Sequence, residues 1–108
     1  MLMELTGDTG PGSKTYVETG TITYVRDNGD SRVLESQGGR SYRVQEPLAA
    51  FLEQGFVAAS GPSGDAYAVN TATVGAVQPM DDGVEVRFAN PGNSRSVKVV
   101  EYQGIVRR

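Results

Sequence analysis

Few residues in this 108-residue chain have the types and spacing that chemistry requires. The segment Gly7-Asp-Thr-Gly-Pro-Gly-Ser-Lys-Thr15 gathers glycines, a lysine and a hydroxyl, as a phosphate-cradling loop does. A working loop sets its lysine directly after the last glycine, so that backbone amides and ammonium converge on the phosphates. Here Ser13 intervenes, and neither a strand before the segment nor a long helix after it is legible. Asp27 and Asp30 with the nearby Glu35 suggest a calcium loop, as does Asp81-Asp82-Gly83. Neither offers the regular oxygen spacing or the bidentate glutamate such a loop needs, and both read as turns whose Asp and Asn side chains bond their own backbone. No metal site and no cofactor is expected.

Asp8-Thr9-Gly10 matches the catalytic triplet of aspartic proteases, which bring two such carboxylates together to share one proton. That triplet needs an apolar strand to hold it rigid. Between Thr6-Gly7 and Pro11-Gly12 there is none, so the segment reads as leader.

Composition sharpens the exclusions. Without cysteine there are no disulfides, thiolate nucleophiles or Cys-held metals. Without histidine the usual general base near neutral pH is missing. The net charge of -3 and pI near 4.8 disfavour wholesale binding to phosphate backbones or anionic membranes. No stretch approaches the roughly 20 apolar residues of a membrane helix, and Met1 to Leu5 is too short for a signal-peptide core. The chain reads as cytoplasmic, or as the mature part of an exported protein.

The elements that must position any site follow from periodicity. Residues 1–14 read as a flexible leader and 15–108 as one small β-barrel domain. Thr15 to Arg26 is a long strand signal with a bend or bulge at Gly20. Asp27-Asn28-Gly29-Asp30 predicts a type I′ hairpin turn. Arg32–Ser36 and Arg40–Val44 are the next strands, joined at Gly38-Gly39. Pro47 to Gln54 is the one helix, with Leu48, Phe51 and Leu52 on one face and Gly55 as its left-handed stop. Phe56–Ser60 and Tyr67–Gln78 are further strands. Val84, Val86 and Phe88 alternate cleanly with charged residues, and Val97–Val106 returns after a turn at Asn90-Pro91-Gly92-Asn93. No internal repeat is legible.

The order of three-stranded meander, helix, strand and strand resembles the OB-fold. The resemblance rests on Gly20-Thr-Ile-Thr-Tyr24, Gly39-Arg-Ser-Tyr-Arg-Val44, and Leu48 to Gly55 followed by Phe56-Val-Ala-Ala-Ser-Gly61. It covers residues 15 to about 79 and is a likeness of fold, not a family signature. The expected class is all-β with one short helix: a small OB-like β-barrel plus a C-terminal β-hairpin.

The nearest thing to a binding face lies on the first three strands, where Arg26, Arg32, Arg40 and Arg43 interleave with tyrosines. Tyr24 shares a face with Ile22 and Tyr42 with Val44, which assigns both to the core and leaves Tyr16 for a ligand. Guanidinium forks suit carboxylate or phosphate groups. The leading expectation is a non-catalytic binding or adaptor module that recognises another protein. The alternative is an OB-type domain for single-stranded nucleic acid or an oligosaccharide, which stacks bases on aromatic rings within a basic groove. The C-terminal hairpin is either a recruiting edge or a closing piece of the core.

Overall fold

The computed structural model describes residues 1–7, 12–89 and 96–100. It is an all-β domain with one short helix, as the periodicity predicts. Its strands are β1 (Leu2–Thr6), β2 (Lys14–Glu18), β3 (Ile22–Asp27), β4 (Arg32–Ser36), β5 (Ser41–Val44), β6 (Val57–Ser60), β7 (Ala66–Val69), β8 (Val74–Met80), β9 (Gly83–Phe88) and β10 (Val97–Val99). The helix α1 (Leu48–Leu52) stands between β5 and β6. Three antiparallel sheets result, in the orders β1-β2, β5-β4-β3-β7-β6 and β10-β9-β8, in place of one closed barrel.

The sheets are linked where their edges meet. Gly7 bridges Val44, and the Gln45 N–H donates to the Thr6 carbonyl at 2.9 Å, tying β1 to β5. The Val100 N–H donates to the Ser60 carbonyl at 2.8 Å, tying β10 to β6. Among the described residues the strands thus form one ribbon, β2-β1-β5-β4-β3-β7-β6-β10-β9-β8, with β2 and β8 at its two ends.

Half of this ribbon repeats the other half. β1 to β5 and β6 to β10 are the same succession of a hairpin, a tight turn and a three-stranded meander, with α1 as the link. Over residues 14–37 and 66–89 the equivalence holds residue by residue. Each long strand signal is broken by a 3-10 turn, Thr19–Thr21 in the first unit and Thr71–Thr73 in the second. The Thr21 hydroxyl donates to the Glu18 carbonyl at 2.7 Å, and the Thr73 hydroxyl to the Asn70 carbonyl at 2.7 Å. The Gln37 N–H donates to Thr21 O at 2.8 Å, and the Ala89 N–H to Thr73 O at 2.7 Å. A register shift falls between Ile22 and Tyr24, and again between Val74 and Ala76. One constant shift along the chain carries each of these features to its counterpart. The sequence shows no repeat because few identical residues mark it, chiefly Thr-x-Thr followed by a β-branched residue.

Each unit has its own core. Leu5, Val17, Ile22, Val25, Leu34 and Val44 fill the first, with Phe51, Phe56 and Ala68 closing it. Val69, Val84, Val86, Val97 and Val99 fill the second, joined by Tyr24 and Tyr67. The five-stranded sheet lies between them, so both faces of β3 are covered and Ile22, Thr23, Tyr24 and Val25 are all buried. The register shift after Ile22 turns Tyr24 onto the opposite face, away from Ile22 and into the second core, where it stacks on Phe88 at 5.5 Å. Simple alternation, which puts the two on one face, fails at that bulge.

Other expectations change for definable reasons. The leader read over residues 1–14 contains β1, because Leu5 is fully buried in the first core and Met3 packs against it. Residues 8–11, including Asp8-Thr9-Gly10, lie outside the described residues, as do the turn at residues 90–93 and everything after Val100. The C-terminal hairpin gains β8 and becomes a three-stranded sheet. At the first hairpin turn Gly29 has φ +91°, whereas Asn28 stays out of the left-handed region, so the turn is not type I′. It is held by the Gly29 N–H donating to the Asp27 carboxylate at 2.9 Å. In α1, Phe51 is buried and Leu48 packs beside it, but Leu52 is 37% exposed, since five helical residues turn only one narrow stripe inward. Gly55 has φ +98°, the left-handed stop the sequence predicts.

Candidate functional site

β3, β4 and β5 form the first unit's meander, and their register decides which arginines share a face. Arg26 stands opposite Val33, and Val33 opposite Arg43, so Arg26, Val33 and Arg43 form one row on the face turned away from the first core. The neighbouring row on that face is Tyr24, Glu35 and Ser41, in which the Ser41 hydroxyl donates to the Glu35 carboxylate at 2.7 Å. Across the central joint, Arg26 stands opposite Tyr67 of β7. Burial pushes the Tyr67 phenol pKa up, the Asp65 charge adds to that, and Arg26 opposes it.

At the end of this face the β3–β4 turn and the end of β5 enclose a polar recess of about 540 Å³, lined by Asn28, Asp30, Ser31, Arg43 and Gln45. The register Asp27–Arg32–Val44 makes these residues neighbours, because it places Gln45 beside the turn. The Arg43 guanidinium donates to the Ser31 hydroxyl at 3.3 Å, and the Gln45 amide donates to the Gly7 carbonyl at 3.0 Å. The recess therefore presents a guanidinium, two amides, a hydroxyl and one carboxylate. Such a set offers both hydrogen-bond donors and acceptors. Among the described residues no group of three acids is placed to hold a metal ion, and no helix is long and apolar enough to cross a membrane.

The other expected site residues are dispersed. Arg32 points toward the core side of the sheet and ties the turn to β5. Its guanidinium donates to the Asp27 carboxylate at 3.2 Å, to Gly29 O at 3.2 Å and to Gln45 O at 2.7 Å. Its buried Nε has no hydrogen-bond partner among the described residues, a cost that the three bonds of the guanidinium offset. Arg40 is exposed at the opposite end of β5, where its carbonyl accepts from the Ser36 N–H and hydroxyl. Tyr16 sits on β2, in another sheet, and its hydroxyl donates to the Glu4 carboxylate at 3.2 Å. Of the five residues, only Arg26 and Arg43 share a face.

Sequence reasoning missed Asn28, Ser31 and Gln45 as lining residues. The signal was present in part, since a hairpin of known register predicts which turn residues meet which strand end. It also missed Asn70, whose buried amide joins the two units. No family model matches the chain, and no curated protein or solved structure is significantly similar to it.

Proposed function

We propose that this chain is a non-catalytic binding module that recognises an acidic segment of a partner protein along the row Arg26–Val33–Arg43, on the sheet face turned away from the first core. The observation behind this reading is the row Arg26–Val33–Arg43, which runs into the polar recess at Asn28, Asp30, Ser31 and Gln45. Two guanidiniums flanking a valine suit carboxylates spaced along an extended peptide, with the amides of the recess left to read its backbone. The OB-like alternative, binding of single-stranded nucleic acid or an oligosaccharide, calls for exposed aromatic rings beside the basic groups. Tyr24 lies on that face but is buried in the second core, and Tyr42 packs on the first, so neither offers an exposed ring beside the arginines.

Titration decides between them. A glutamate-rich peptide and a single-stranded oligonucleotide are each titrated against the parent and against an Arg26→Ala/Arg43→Ala variant. The expected result is salt-sensitive peptide binding that weakens at least about tenfold in the variant, the scale of losing a charge-assisted contact. Peptide binding that survives the double substitution, or oligonucleotide binding tighter than peptide binding, overturns the reading.

A further inference from the structure

The two ends of the ribbon formed by the described residues are the two halves of a joint the chain already makes once. Inside the chain β3 of the first unit pairs with β7 of the second: Tyr24 opposite Val69, Val25 opposite Ala68, and Arg26 opposite Tyr67. Asn70 seals that joint. Its N–H donates to Thr23 O at 2.9 Å, and its side-chain amide donates to Thr19 O at 3.3 Å and Ile22 O at 2.9 Å. The repeat turns β3 into β8 and β7 into β2, and these are the strands that among the described residues pair on one side only.

Their side chains carry the same message. On the outward face of the β6–β7 hairpin, Phe56 and Ala68 are 7% and 0% exposed because they close the first core. By register their counterparts on the β1–β2 hairpin are Leu2 and Tyr16, which are 65% and 59% exposed. β8 shows the deficit from the other side. Ile22, Tyr24 and Val25 of β3 are buried, whereas their counterparts Val74 and Val77 are half-buried and Ala76 is exposed.

We propose that the chain associates with a second copy of itself, β8 of one copy pairing with β2 of the next in the register of the internal joint. Ala76 then stands opposite Val17, Val77 opposite Tyr16, and Gln78 opposite Thr15. Leu2 and Tyr16 cover the second core of the neighbour as Phe56 and Ala68 cover the first. The contact is heterologous, so repetition gives rows, or rings if the rotation closes. It is weaker than the internal joint because Glu18 occupies the place of Asn70, and a carboxylate cannot donate to the carbonyls of Thr71 and Val74. Pro79, just beyond the paired stretch, keeps the contact to three residues, since it offers no N–H to a partner strand. This inference uses edges away from the arginine row, so it and the peptide-binding reading stand or fall separately.

Sedimentation of the purified chain over a concentration series tests it. The parent mass should rise with concentration, while Tyr16→Asp, altering an exposed residue, should remain folded by circular dichroism and monomeric. Glu18→Asn restores the missing amide donors and should tighten association about tenfold, the equivalent of roughly one hydrogen bond. Because the chain has no cysteine, Tyr16→Cys and Val77→Cys made in separate chains and mixed under mild oxidant should form a covalent heterodimer. A parent that stays monomeric at its highest soluble concentration overturns the proposal, as do oligomers indifferent to Tyr16→Asp. An intrachain bond in the doubly substituted chain without any intermolecular product also overturns it, by showing that the two edges meet within one molecule.

Discussion

β3 and β8 hold the same place in two units folded to one plan, yet they live in different surroundings. β3 runs through the middle of the five-stranded sheet, with one core against each face and β7 along its far edge. Among the described residues β8 pairs on one side only, and Gly75, Ala76 and Gln78 are exposed. The residues follow suit: Ile-Thr-Tyr-Val in β3 against Val-Gly-Ala-Val in β8. Gly75 is small there for a local reason as well, since a Cβ at that position would lie 2.9 Å from the Ala89 Cα. What a strand buries is thus set by its neighbours in the ribbon more than by its own turn and register signals, which are alike in the two units.

The cores differ in the same direction. The first is built from larger side chains and closed by α1, with Phe51 and Phe56 at 6.2 Å. The second is mostly valine, and it borrows Tyr24 from the first unit to sit against Tyr67 and Phe88. That loan interlocks the units, so one domain results from two cores.

Breaking the closure of the first core should have the largest effect. Phe51→Ala is expected to cost about 3–5 kcal/mol in urea unfolding, whereas Leu52→Ala on the exposed side of the same helix should cost less than about 1 kcal/mol. Equal losses would mean that α1 does not plug the first core.

Next comes the joint. Asn70→Ala removes the amide that donates to the carbonyls of Thr19 and Ile22 and should cost about 2–3 kcal/mol in urea unfolding, while Glu18→Ala at the equivalent edge should leave the urea midpoint near the parent's. Equal losses would mean that the buried amide of Asn70 contributes no more to the joint than an exposed carboxylate does to the edge.

The turn threonines give a finer contrast. Thr73 is buried and Thr21 is not, so Thr73→Val should cost about 1 kcal/mol and Thr21→Val about half that.

The smallest effect is the pH dependence from Tyr67. Its raised pKa means the folded chain holds the phenol proton more tightly than the unfolded chain. The resulting stability is fully present below the ordinary tyrosine pKa of about 10 and is lost as pH rises from there through the raised folded-state value. Tyr67→Phe should flatten the alkaline limb of a stability-versus-pH curve, and an unchanged slope would place the titration elsewhere.

Local features were legible from the residues. Gly55 after an i, i+3, i+4 stripe located the helix and its stop, and clean alternation at Val84, Val86 and Phe88 located β9. Long Thr-rich runs announced strands but not their interruption, because the Thr19–Thr21 and Thr71–Thr73 turns use the same β-branched residues that favour strands. The arginine cluster was legible only as a composition. Arg32 and Arg43 are both on neighbouring strands, yet one fastens the turn and the other faces the recess, a distinction set by register.

The sequence by itself determined the all-β class, the place of the single helix, most turn positions and the lack of histidine and cysteine chemistry, since each depends on residue type or on spacing within a few neighbours. Tertiary structure alone decided that the ribbon is two equivalent units, that Leu2–Thr6 is a strand, that Tyr24 serves the second core, and that β2 and β8 are the edges among the described residues. These depend on pairings between residues far apart in the chain, where a single bulge moves a side chain to the other face and many different sequences satisfy the same ladder of backbone hydrogen bonds.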